Sequence, residues 1–174
     1  CLWHYPGQGL AGQVIEHPLE SWDNWKDWSP PSKEEAAAAA RAYAEKKLRK
    51  GEKVVCNFEH GFFFLRMTYL RGFENFMIDV AEDNPRLYQL RDMITDYCCT
   101  VAQAVLDCGA EHLHAGDDLG LQERLPISPA SWRKVVKPGY ARLFGLARER
   151  GATASLHTDG RITVIIPDLI EVGV

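Results

Sequence analysis

Three short apolar runs, each closing on charged residues and glycine, lie between longer stretches in which apolar residues return every three or four positions. The first, residues 53–58, is partly β-branched and ends in Glu59, His60 and Gly61. The second, 111–115, runs into Gly116, Asp117, Asp118, Leu119 and Gly120, and the third, 152–156, runs into His157, Thr158, Asp159 and Gly160. Runs of this length and composition read as buried parallel strands. Behind Pro85, the residues Leu87, Leu90, Ile94, Tyr97, Val101, Val105 and Cys108 recur at helical steps until Gly109, which predicts a long amphipathic helix. Ser32 and Glu35 form a capping box before an alanine-rich helix over 36–49, and Gly51 stands where it should stop. Short helices are expected over 62–82. Ser128 and Pro129 start a further helix that Pro138 should break or kink, with Tyr140, Leu143, Phe144 and Ala147 continuing its apolar face to Gly151. Pro167 begins a short helix, and the apolar run 169–174 reads as a fourth strand beginning.

This order, helices alternating with apolar strands, is the grammar of parallel βα units, whose chemistry gathers at the C-terminal ends of the strands. Residues 1–31 do not join the pattern. Gly7, Gly9, Gly12, Pro18, Pro30 and Pro31 interrupt any long element, so an irregular lead-in segment is expected there. Trp22, Trp25 and Trp28 recur every third residue in it, a spacing better explained by packing than by ligand stacking. The chain opens on Cys1 and closes on Val174 in mid-pattern, so both ends are expected to be truncated and residues 1–174 to form part of one domain.

Composition narrows the function classes. The chain has 174 residues, 46% of them hydrophobic, and a net charge of −4, which gives no basic footprint for a nucleic acid. Five cysteines without CxxC spacing suit reduced thiols in a cytoplasmic protein. No long apolar run and no signal-like start are present, so neither membrane insertion nor export is expected.

The candidate chemistry sits at the strand ends. Asp117 and Asp118 could hold a cation or share a proton, while either could instead cap a neighbouring segment. His157 could ligate metal or move protons near neutral pH, or simply make a hydrogen bond at the end of its strand. His157 and Asp159, two apart at a strand end, face one side and form a candidate metal pair. Glu59 and His60 could join the rim, and Arg66 and Arg71 could bind carboxylates bidentately, although surface arginines are usually just solvated. His112 and His114 share one strand face and read as satisfied, buried histidines, and Cys98 and Cys99 as packing residues inside a helix.

Asp117-Asp118-Leu119-Gly120, Leu125-Pro126-Ile127-Ser128-Pro129, Trp132-Arg133-Lys134 with Lys137, Pro138 and Tyr140, and Leu156-His157-Thr158-Asp159-Gly160 together resemble the uroporphyrinogen decarboxylase family. So do Ile165 to Gly173 and, more loosely, Leu70 to Glu74 and Asn84-Pro85. The resemblance implies an α/β fold, a partial (β/α)8 TIM barrel with two open sheet edges, marginal when isolated. It implies a lyase of porphyrin biosynthesis, decarboxylating an acidic tetrapyrrole without cofactor or metal. Asp117, Asp118 and His157 are then the catalytic candidates, and Glu59, His60, Arg66 and Arg71 the substrate-binding ones. Cobalamin-dependent methyltransferases of the same superfamily imply a second reading. There zinc is held by a His-x-Cys motif and a later Cys, and a corrinoid protein is the partner. His157-Thr158-Asp159-Gly160 occupies the place of that motif, with Asp159 at the thiolate position, so His157 and Asp159 become the zinc ligands. A third reading is a non-catalytic barrel that binds a tetrapyrrole or a corrinoid protein. The resemblance also admits a homodimer for a full-length protein.

Overall fold

The computed structural model describes residues 1–5, 7 and 12–174, so Gly9, one of the expected breakers, lies outside the described residues. A short antiparallel hairpin, β1 (Leu2–His4) and β2 (Gln13–Glu16), opens the chain where only irregular structure is expected, and a 3-10 turn over Trp22–Lys26 follows. Both strands are largely exposed and short, which is why no periodicity marks them. The tryptophans pack as their spacing predicts: Trp22 and Trp25 lie 5.6 Å apart and Trp25 and Trp28 6.2 Å apart.

Helix α1 (Lys33–Arg49) starts on Ser32, whose hydroxyl accepts from the Glu35 N–H at 3.1 Å. Strand β3 (Cys56–His60) follows, then α2 (Phe64–Arg71), α3 (Phe73–Ala81) and the long α4 (Pro85–Leu106). Strand β4 (His112–Gly116) leads to α5 (Pro129–Val135) and α6 (Lys137–Glu149), separated beside Pro138 as expected. Strand β5 (Thr153–His157), a 3-10 turn and α7 (Ile166–Val172) complete the order. The three long strands form one parallel sheet in the order β3-β4-β5, an arc of a barrel that is not closed among the described residues. No helix among the described residues is long and apolar enough to cross a membrane.

Two boundaries depart from expectation for identifiable reasons. Pairing with β4 begins only at Cys56, so the strand shifts toward its C-terminus and takes in Glu59 and His60. The run 169–174 is not a strand. Leu169 and Val172, three apart, turn one face into the core while Ile170 stands exposed, and the Val174 N–H returns to the Leu169 carbonyl at 3.1 Å, so the run is a helix end.

The two faces of the sheet differ in chemistry. Leu113 and Ala115 are fully buried in a core shared with Ile94, Cys98 and Phe144. Alternation therefore turns His112 and His114 to the opposite face. That face is polar, with His112 bonded to Thr153 Oγ1 at 2.8 Å and to Ser155 Oγ at 2.9 Å, and His114 bonded to Ser155 Oγ at 2.8 Å. Behind the sheet, Tyr140 is ringed by Phe62, Phe63, Trp132 and Phe144 with centroids 5.4–6.1 Å away. Burying each such ring contributes roughly 2–3 kcal/mol, and the ring of aromatics fixes the Tyr140 hydroxyl beneath the C-terminal rim.

Candidate functional site

At the C-terminal rim the side chains of His60, Asp118 and His157 converge from the end of β3, the loop after β4 and the end of β5. His60 Nε2 and Asp118 Oδ2 are 3.1 Å apart, and the two imidazole rings lie 5.7 Å centroid to centroid. One donor atom from each of the three falls within 4.8 Å of the others. The strand between the two histidines ends in Gly116, which pairs with His60 on one side and His157 on the other. A methyl group on Gly116 would sit 3.0 Å from His60 Nδ1. A side chain at position 116 would therefore crowd the His60 ring.

The loops after β4 and β5 are bonded together. Asp117 N–H donates to the His157 carbonyl at 2.9 Å, Leu119 N–H to Thr158 Oγ1 at 2.9 Å, Gly120 N–H to the Asp159 carbonyl at 3.2 Å, and Arg161 N–H to the Leu121 carbonyl at 2.7 Å. In return Asp159 N–H donates to Asp118 Oδ1 at 3.0 Å. Gly120 and Gly160 meet backbone to backbone: a Cβ on Gly120 would fall 2.6 Å from the Gly160 carbonyl carbon, and Gly160 holds φ +81°. This arrangement leaves Asp118 Oδ2 for His60 while Oδ1 is spoken for. The Asp159 carboxylate points outward, 76% exposed, with Oδ1 3.6 Å from His157 Nε2.

The neighbouring carboxylate has a different place. Asp117 has no exposed surface, and it accepts from the Phe64 N–H at 2.5 Å, the Leu65 N–H at 3.0 Å and the Tyr140 hydroxyl at 2.8 Å. Burial pushes its carboxyl up to about 6, against those three donors, which pull it down. Asp117 anchors the start of α2 from inside the fold, beneath the rim. Arg71 also lies inside the fold. Its guanidinium is buried, bonded to Asp79 Oδ2 at 2.7 Å and to the Leu19 and Glu20 carbonyls, and it stacks 4.2 Å from the Trp22 ring. Its Nε and Nη1 donors are engaged inside the fold.

Arg66 is half-buried, 6.0 Å from the Tyr69 ring centre, and Glu59 is exposed at the end of β3; among the described residues neither makes an ion pair. Of the rim candidates, then, the structure gathers His60, Asp118, His157 and Asp159. Sequence reasoning missed Gly116, Gly120, Gly160 and Thr158, although a glycine a few residues past two strands was the available signal. A hollow of about 550 Å³ beside the joined loops is lined by Leu125, Pro126, Ile127, Arg161 and Thr163 among others. A second, of about 570 Å³, lies between α4 and α6 and includes none of the candidate residues.

The cluster suits a divalent cation on the chemistry of its donors: two imidazoles that can be neutral, and a carboxylate already oriented by a backbone N–H. Comparison with known proteins adds a family and a fold. The family model described as uroporphyrinogen decarboxylase (URO-D) matches residues 7–174. A solved methyltransferase from Methanosarcina mazei superposes with a TM-score of 0.66 at 19% identity, covering 99% of this chain and 50% of its own, so the chain spans about half the length of that protein. No curated protein matches the chain.

Proposed function

The chain belongs to the uroporphyrinogen decarboxylase family, and from that premise we propose that it serves metal-assisted methyl transfer, from a methylcorrinoid carried by a partner protein to a thiol or similar acceptor. The observation that carries this reading is the convergence of His60, Asp118 and His157 at the rim, with donor atoms inside 4.8 Å. Metal-free decarboxylation of an acidic tetrapyrrole is the alternative, with the rim carboxylates Asp118 and Asp159 and the half-buried Arg66 as its candidate groups.

His60, Asp118 and His157 would hold the cation. Such an ion supplies Lewis acidity, making a bound thiol or hydroxyl acceptor nucleophilic at neutral pH. The chain's own groups set the stage for that chemistry. The loop pairing holds Asp118 still, Gly116 leaves room for the His60 ring, and the exposed Asp159 carboxylate stands beside His157, where it can accept the proton that the acceptor loses. The polar sheet face below, with His114 and Ser155, offers hydrogen bonds to the acceptor's remainder.

The test is the metal content of the purified protein beside its His157→Ala variant. About one zinc or similar ion per chain, lost in the variant, supports the reading. No metal in either protein sinks it and returns the choice to decarboxylation or simple binding.

A further inference from the structure

We infer that Thr153, His112, Ser155 and His114 form a directed proton relay along the polar face of the sheet, ending at His114 Nε2, which takes a proton from a weak acid (a thiol, alcohol or N–H group) seated against that face. The inference goes beyond the metal reading and needs no ion, since it concerns side chains one layer below the rim. His112 pairs in register with Thr153 and His114 with Ser155, so alternation along β4 and β5 puts all four groups on one side. His112 Nδ1 lies 2.8 Å from Thr153 Oγ1, His112 Nε2 2.9 Å from Ser155 Oγ, and His114 Nδ1 2.8 Å from the same Ser155 Oγ. Two imidazoles are thus joined through a single hydroxyl.

Counting protons gives the chain a direction. Thr153 Oγ1 donates its proton to the Glu111 carbonyl at 3.3 Å, so it accepts from His112 Nδ1–H. A neutral imidazole carries one N–H. His112 Nε2 is therefore an acceptor, and the Ser155 hydroxyl gives its proton there. Ser155 Oγ in turn accepts from His114 Nδ1–H, which leaves His114 Nε2 with a bare lone pair and no hydrogen bond among the described residues. The opposite polarity forfeits the Thr153 bond to Glu111 and is poorer by one hydrogen bond. His114 is half-buried and Asn57, its register partner on β3, is exposed, so this face is open to a ligand.

A weak acid that gives its proton to His114 Nε2 sets the chain moving. The His114 Nδ1 proton passes to Ser155 Oγ, the Ser155 proton passes to His112 Nε2, and His112 becomes the imidazolium. Its Nδ1 proton then leaves to water beside Thr153, which is exposed. Every group on the path gains one proton and loses one, and the ligand is left as its anion. Methyl transfer to a thiol releases a proton and decarboxylation takes one up, so a relay that can run either way serves both. The charged and titratable groups along these strands are Glu111 beside His112 at the lower end, and Glu59, His60, Asp118 and His157 at the upper end. Asp159 serves donors at the rim; His114 serves those seated deeper.

The experiment is ¹⁵N NMR of the histidine rings in the full chain, for the wild type, Thr153→Val and Ser155→Ala, with circular dichroism reporting the fold of each. The wild type is expected to hold His112 and His114 as neutral Nδ1–H forms. Thr153→Val removes the acceptor at the far end and is expected to move both rings together toward Nε2–H, the form the side chain prefers in water, although His114 bonds to Ser155 and not to Thr153. Ser155→Ala is expected to turn His114 alone, leaving His112 held by Thr153. On acidification the first proton should appear on both wild-type rings with one shared midpoint, and on each ring separately in Ser155→Ala. A wild-type His114 in the Nε2–H form, a His114 indifferent to Thr153→Val, or wild-type rings that titrate independently overturns the relay.

Discussion

Two adjacent aspartates show how little residue type decides by itself. Asp117 and Asp118 follow the same strand, yet one is sealed against the start of α2 and the other reaches His60 at the rim. The difference comes from alternation at the strand end, which turns one side chain toward the aromatic cluster around Tyr140 and its neighbour toward the open face. Truncating Asp117 would leave two backbone N–H groups and the Tyr140 hydroxyl buried without an acceptor. Asp117→Ala should therefore lower stability by roughly 3–5 kcal/mol, read from the urea midpoint of unfolding. A loss below about 1 kcal/mol would mean that the anchor is dispensable. Arg71 teaches the same lesson: a charge on a helix reads as a surface group, but Asp79, two carbonyls and Trp22 make it an internal one.

Among the elements, the joined loops after β4 and β5 carry the most consequence. Five hydrogen bonds and a glycine-to-glycine contact bind Asp117–Leu121 to His157–Arg161, so the positions of Asp118 and His157 depend on each other. Gly160 is where that pairing is most exposed to substitution, since its φ of +81° and its contact with the Gly120 backbone both exclude a Cβ. Gly160→Ala is expected to cost about 1–3 kcal/mol and to speed amide hydrogen exchange at Gly120 and Arg161, whose N–H groups cross the loop pair. Unchanged exchange at those two amides would show that the loops hold by other means. Helices were more legible than loops: the serine caps and proline starts at Ser32, Asn84 and Ser128 all initiate helices, because a side chain capping its own next turn is a local event.

Across the whole molecule, a three-stranded arc leaves the outer edges of β3 and β5 without a strand partner among the described residues. The helices behind it are fastened by a clamp at Asp168 on α7, which pairs with Arg133 on α5 at 3.0 Å and with Lys137 on α6 at 2.9 Å. Hydrogen bonds from Arg133 and then Lys137 hold the Asp168 carboxyl below the usual 3.8. A carboxyl depressed in the folded state stabilises above its unfolded value and loses that contribution as pH falls through the folded one. Asp168→Asn should thus be less stable than the wild type at neutral pH, and the gap should close as the solution is acidified below about pH 4. Urea denaturation across that range decides it, and a pH-independent gap would assign the loss to packing instead of charge.

The sequence by itself determined the parallel α/β grammar, the capped helix starts, the polar strand ends and the family, because each is written in residues close together along the chain. It also placed His60, Asp118, His157 and Asp159 among the candidates. Only the tertiary structure decided which of them meet, since β3, β4 and β5 must lie side by side before His60 can face His157 across Gly116. The same packing set the Asp117 and Arg71 side chains inside the fold. Distance along the chain fixes which face of a strand a side chain takes; distance through space, which sets every charge interaction and every ligand set, belongs to the fold.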